Sequence, residues 1–186
     1  MKIMIASDIH GSSYYAEKLI DAYDEENCEK LILLGDILYH GPRNDLPKGY
    51  DPKGVISLLN ARANEILAVR GNCEAEVDQM VLDFSVMSDS LIIFERGTTF
   101  FLTHGHIWNE SNLPKIKSGD ILVHGHTHVQ CVKDLSGITY INPGSVSIPK
   151  EGNPQSYMVY DNGTFTIYDF DKNILNTYEL RGNSYE

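Results

Sequence analysis

The sequence predicts an α/β protein, built as a mixed sheet or a β-sandwich with helices on its outer faces. Three observations carry this. The first half alternates apolar runs with segments of helical periodicity in the order β-α-β-α-β, the pattern of parallel strands joined by helical crossovers. The apolar run at 30–36 is continuous rather than alternating, which suits a strand covered on both faces. The second half is a succession of strand-like runs, with Asn162-Gly163 between two alternating segments as a strong hairpin signal.

Taken in order, "KIMIAS" at 2–7 is the first strand, and Ser12 or Ser13 caps a helix running to about residue 27 with Tyr15, Leu19, Ala22 and Tyr23 on one stripe. "KLILLGD" at 30–36 is the second strand. Asp51 or Pro52 begins a second helix that places Val55, Leu58, Leu59 and Arg62 together. "EILAVRGN" at 65–72 repeats the strand-then-glycine pattern. Residues 90–106 divide into two strands at Arg96-Gly97, and strands follow at 120–126, 138–144, 156–171 (a hairpin) and 173–180.

The length of 186 residues and the 42% apolar and 22% charged content fit one globular domain, residues 1–186. No apolar run approaches the ~20 residues of a membrane helix, and the first residues run into polar ones too soon for a signal peptide, so a cytoplasmic protein without a membrane partner is expected. Cys28, Cys73 and Cys131 form no CxxC pair, which argues against a zinc ribbon or disulfide framework. With 15 basic and 26 acidic residues, net charge −11, no stable nucleic acid complex is expected.

Polar residues stand at the strand ends. The first strand runs into Asp8 and His10, the second into Asp36, the third into Asn72; "LTHGH" ends in His104 and His106, and "LVHGHTH" carries His124, His126 and His128. One Asp after a strand is ordinarily a turn residue or a helix cap. Five strands ending this way need another explanation, because sites in open α/β sheets form beyond the carboxyl ends of the strands. Were the last run extended throughout, His124, His126 and His128 would share one face. Asp and His suit divalent metals such as Mn, Fe and Zn. Seven candidates, Asp8, His10, Asp36, Asn72, His104, His126 and His128, exceed the four ligands of one tetrahedral ion. They suit two ions sharing a carboxylate, an arrangement used to hydrolyse phosphate esters. His124 is then structural or supports the ligands.

In order, Asp8-Ile9-His10, Gly35-Asp36, Gly71-Asn72-Cys73-Glu74, His104 and Gly125-His126-Thr127-His128 resemble the motifs of the calcineurin-like metallophosphoesterase superfamily. "GDILYHGPRN", "RGNCEAEVDQM" and "NPGSVSIPK" are similar to its small single-domain bacterial and archaeal phosphodiesterases. The resemblance implies a β-sandwich of two mixed sheets flanked by helices. It implies Asp8, His10 and His128 on one metal, Asn72, His104 and His126 on the other, and Asp36 bridging. It also implies a phosphodiesterase with two divalent ions, Mn foremost and Fe, Zn, Ni or Co as the other candidates, a small phosphate-ester substrate and a homo-oligomer. A hydroxide bridging the metals is the expected nucleophile.

Many members of the family carry a histidine after Gly-Asn, where this chain has Cys73, a weak hydrogen-bond donor. Arg43 and His40, in "HGPRN" just beyond Asp36, are candidates for holding a phosphate oxygen and orienting the leaving group. His106 is a candidate for supporting the ligands, and "NPGSVSIPK" for bracing the site from behind. The alternatives are a phosphomonoesterase or nucleotidase on the same residues, or a protein-binding scaffold of the same fold.

Overall fold

Alternation along the strands divides the interior into separate apolar layers. The computed structural model describes residues 1–180, so residues 181–186 of the expected 1–186 domain lie outside the described residues. Among the described residues, eleven strands and three α-helices occur in the order β1 (Lys2–Ala6), α1 (Ser13–Glu25), β2 (Lys30–Leu33), α2 (Pro52–Asn60), β3 (Ile66–Ala68), α3 (Glu76–Val81), β4 (Ser90–Glu95), β5 (Thr98–Thr103), β6 (Ile121–His124), β7 (Cys131–Leu135), β8 (Ile138–Asn142), β9 (Ser156–Asp161), β10 (Thr164–Asp169) and β11 (Ile174–Glu179). They form two mixed sheets, ordered β11-β10-β9-β1-β2-β3 and β4-β5-β6-β8-β7. β1, β2 and β3 are parallel, as are β5, β6 and β8.

Ile3 and Ile5 of β1 pack with Phe100, Leu102, Ile121 and Val123 of the second sheet. Met4 and Ala6, between and beyond them, join Leu19 of α1 with Val55 and Leu59 of α2. β1 is therefore apolar throughout because it serves two layers at once. Leu19 is fully buried, and truncating it to Ala costs about 2–5 kcal/mol. Helix α1 starts where Ser12 accepts a hydrogen bond from the Tyr15 amide at 3.2 Å, satisfying one of the helix's free donors.

Several details differ from the sequence reading. The helices α1 and α2 cover the first sheet, whereas the outer face of the second is closed by Trp108 and Ile116 from the β5–β6 connection, because that crossover is irregular rather than helical. Helix α2 ends at Asn60, and Arg62 pairs with Asp24 and Glu65 instead of joining the apolar stripe. β7 and α3 were not anticipated. β7 lacks a buried face, and Ser136-Gly137, both at positive φ, turn it into β8. β6 stops at His124, and His126 and His128 have φ of 64° and 61°. The three histidines thus do not lie on one strand face: positive φ breaks the alternation.

Candidate metal centre

Both sheets direct the carboxyl ends of their parallel strands to one place. β1 brings Asp8 and His10, β2 Asp36, β3 Asn72, β5 His104, and β6 His126 and His128. Asp8, His10, Asp36, His126 and His128 all adopt positive φ, between 50° and 64°. Such backbone costs about 1–3 kcal/mol per residue and persists where the surroundings hold it. Here it turns side chains away from the strand direction and toward one another.

Ligating atoms of Asp8, His10 and His128 lie within 4.8 Å of one another, as do those of Asp8, Asp36 and His104. The Asp36 carboxylate divides between two groups: Oδ2 is 3.7 Å from His10 Nε2, and Oδ1 is 3.5 Å from His104 Nε2. His128 Nε2 is 3.3 Å from Asp8 Oδ1. His104 Nε2 lies 3.1 Å from both Asn72 Oδ1 and His126 Nδ1.

Hydrogen bonds to carbonyls fix the imidazole tautomers. The Nδ1–H groups of His10, His104 and His128 donate to the carbonyls of Tyr39, Leu34 and Ile148, each at 2.7 Å. A carbonyl only accepts, so the inward-facing Nε2 of each neutral ring carries a lone pair. His10 Nε2 and His128 Nε2 then face each other at 3.3 Å, acceptor against acceptor. His104 Nε2 meets the Asn72 acceptor in the same way, and Asp8 Oδ1 is buried without a hydrogen-bond partner among the described residues. Converging lone pairs of this kind require positive charge between them, and the donor set of imidazole, carboxylate and amide oxygen fits divalent metal ions.

The protein braces these groups closely. Burial opposes ionisation of Asp8, but His10 and His128 hold its carboxyl well below the usual range. Burial also opposes the charging of His10, yet Asp8 raises it above the ordinary 6.5. Burial lowers His126, and neighbouring His104 adds to the shift. Asp8 Oδ2 accepts from the His126 amide at 3.0 Å, and the Ser145 and Ser147 hydroxyls donate to the Asp8 carbonyl at 2.9 and 3.1 Å. A Cβ at Gly125 would collide with Ser7 and Asp8, so only glycine lets β6 approach this closely.

The motif Gly71-Asn72-Cys73-Glu74 by itself gives Glu74 no role; the fold does. Its buried carboxylate accepts from the amides of Asp36, Ile37 and Gly71 at 2.9, 2.7 and 2.5 Å. Burial and nearby Asp36 raise its pKa against the pull of those donors. Cys73 Sγ lies 3.2 Å from Asp36 Oδ2, and its amide donates to Asp36 Oδ1 at 2.9 Å. Burial and then Asp36 push the thiol pKa up, so it stays protonated.

A cleft of 410 Å³ opens onto Asp36, Asn72, Cys73, His126 and His128, with Arg43 and Lys150 also in its walls. Lys150 was missed, although its position at the end of "NPGSVSIPK" was a signal; its amide donates to the His128 carbonyl at 3.0 Å. His40 lies between the Tyr39 and Tyr50 rings, at 4.8 and 5.3 Å, outside the residues lining that cleft. His106 sits 5.4 Å from the His104 ring and 6.5 Å from the His126 ring, with Nδ1 buried and unpartnered among the described residues. His124 stacks on Tyr140 at 4.4 Å.

The domain model of the calcineurin-like phosphoesterase superfamily matches residues 1–164. Phosphodiesterase YfcE of Escherichia coli strain K12 is 46% identical over 167 residues, 90% of this chain and 91% of that one. A phosphodiesterase of Methanocaldococcus jannaschii is 29% identical over 152 residues, 77% of this chain and 83% of the other. A solved structure of the E. coli phosphoesterase YfcE superposes with a TM-score of 0.94 at 43% identity, covering 97% of this chain and all of that one.

Proposed function

The chain belongs to the calcineurin-like phosphoesterase superfamily, and from that premise we propose that it is a cytoplasmic, single-domain phosphodiesterase working with two divalent metal ions, Mn²⁺ foremost. One observation carries the two-metal reading: the Asp36 carboxylate directs one oxygen toward His10 and the other toward His104. Asp8, His10 and His128 would hold one ion, Asn72, His104 and His126 the other, and Asp36 both. Bound there, the ions supply Lewis acidity, which activates water near neutral pH and neutralises charge on phosphoryl oxygens.

The chain's own residues do the rest. The carbonyls of Tyr39, Leu34 and Ile148 keep three imidazoles in the tautomer that presents Nε2. Glu74 fixes the turn that carries Asp36. Arg43 and Lys150 in the cleft wall give phosphate oxygens cationic partners in an otherwise acidic protein. The Cys73 thiol offers the leaving oxygen only a weak proton donor. The homo-oligomer implied by the resemblance belongs to the same reading.

The test is hydrolysis of bis(p-nitrophenyl) phosphate and of p-nitrophenyl phosphate by protein stripped of metal and then reloaded. Stripping abolishes turnover, Mn²⁺ restores it, and the diester has the higher kcat/KM. Full turnover by verified metal-free protein rules out the reading, and a preference for the monoester favours a phosphomonoesterase instead.

A further inference from the structure

Beside the ligand cluster lies a second cleft, of 440 Å³, to which the reading above assigns nothing. His126 and Thr127 line both clefts. The two clefts therefore adjoin at these residues, one of them a candidate ligand.

The chemistry of the second cleft is distinct. His124, in its wall, is 1% exposed. Its Nδ1–H donates to the Gly125 carbonyl at 3.0 Å, which leaves Nε2 as the acceptor. That Nε2 is buried and has no partner among the described residues, which leaves an acceptor that a donor from a ligand would satisfy. The ring is held flat against Tyr140, whose hydroxyl accepts from Asn142 Nδ2 at 2.9 Å. Glu110 and Glu151 also line the cleft, and Glu110 is paired with Lys133 at 3.1 Å. Lys133 lines the cleft as well and offsets Glu110, so the charged lining is two carboxylates against one ammonium; that residual negative charge and the imidazole acceptor disfavour a second anionic group. A plain alkyl group would leave Nε2 unsatisfied.

We propose that this cleft binds the organic group that stays on phosphorus, and that this group is neutral and polyhydroxylated, a polyol or sugar, with one hydroxyl donating to His124 Nε2. The inference rests on the phosphodiesterase reading and names its substrate class. It identifies His124 as a specificity residue, which the metal chemistry alone does not require.

Two diesters with the same leaving group test it: 2,3-dihydroxypropyl p-nitrophenyl phosphate and propyl p-nitrophenyl phosphate, each with Mn²⁺-loaded protein. A site built around a substrate hydroxyl discriminates strongly against the analogue lacking it, so the dihydroxypropyl ester is expected to have a kcat/KM about 10-fold higher or more. In His124→Phe, which keeps a ring against Tyr140, the ratio of the two should fall to near one. Calorimetry gives a readout independent of turnover and of that variant's folding: the loaded wild type should bind glycerol phosphate more tightly than propyl phosphate. Equal kcat/KM for the two diesters, or equal binding of the two monoesters, overturns the subsite while leaving a phosphodiesterase. Hydrolysis of neither diester overturns the phosphodiesterase reading and the subsite with it.

Discussion

Glu74 holds Asp36 by the backbone: its carboxylate takes the Asp36 amide at 2.9 Å and the next amide, of Ile37, at 2.7 Å. Gly71 leaves room for this, since a Cβ there would overlap the carboxylates of both residues. Glu74→Gln replaces one acceptor oxygen with an NH₂ facing amide donors. Groups that orient metal ligands are typically worth 10–100-fold in metal affinity or activity, so a loss of about that size is expected. Mn²⁺ titration calorimetry and kcat measured at saturating metal check it; an unchanged affinity and kcat would remove Glu74 from the site.

Asp36 and Asn72 differ in what they present. Asp36 directs both oxygens into the cluster, whereas Asn72 offers a neutral Oδ1 beside His104. Asp36→Asn should lower turnover more than Asn72→Ala and reduce the number of ions held per chain. Elemental analysis alongside kcat distinguishes them; near wild-type turnover in Asp36→Asn with both metals retained would refute the bridge.

The stability of the metal-free protein should depend on pH through the His10–Asp8 pair. His10 is raised in the folded state against burial by Asp8. Its contribution is therefore complete below the ordinary value of 6.5 and disappears as pH rises through the higher folded value. Asp8 is depressed, so its contribution is present above the unfolded carboxyl value of about 3.9 and lost only as pH falls through the depressed one. Calorimetric Tm of stripped protein should thus decline from pH 6 toward alkaline pH, and His10→Gln should flatten the decline. Mn²⁺ affinity should rise over the same interval, because the ion displaces the imidazole proton.

Cys73 predicts sensitivity to the leaving group. The protonated thiol rests against Asp36 Oδ2 at 3.2 Å and is a weak proton donor. General acid assistance typically contributes 10²–10⁴-fold, and leaving groups of low pKa need little of it. A plot of log kcat/KM against leaving-group pKa should be steep for the wild type and shallower for Cys73→His. A flat wild-type plot would show that departure is not limiting or that another group delivers the proton.

Much of this molecule is determined by its sequence alone. Strands β1, β2 and β6 are legible because continuous burial requires continuous apolar runs, and the Arg96-Gly97 and Asn162-Gly163 turns because positive φ selects such residues. The candidate ligands are legible as a set because each ends a strand, and parallel strands bring those ends together. The tertiary structure decided the rest. It broke the row of His124, His126 and His128 with positive φ at the last two, gave Glu74 its role across 38 residues to Asp36, and set Asp8 against the His126 amide across 118 residues. It also covered the second sheet with a loop and opened a cleft around the unpartnered His124 nitrogen. Hydrophobic period and turn chemistry act over a few residues and can be read along the chain. The partners of a buried polar group are set by whichever distant backbone the fold brings to it.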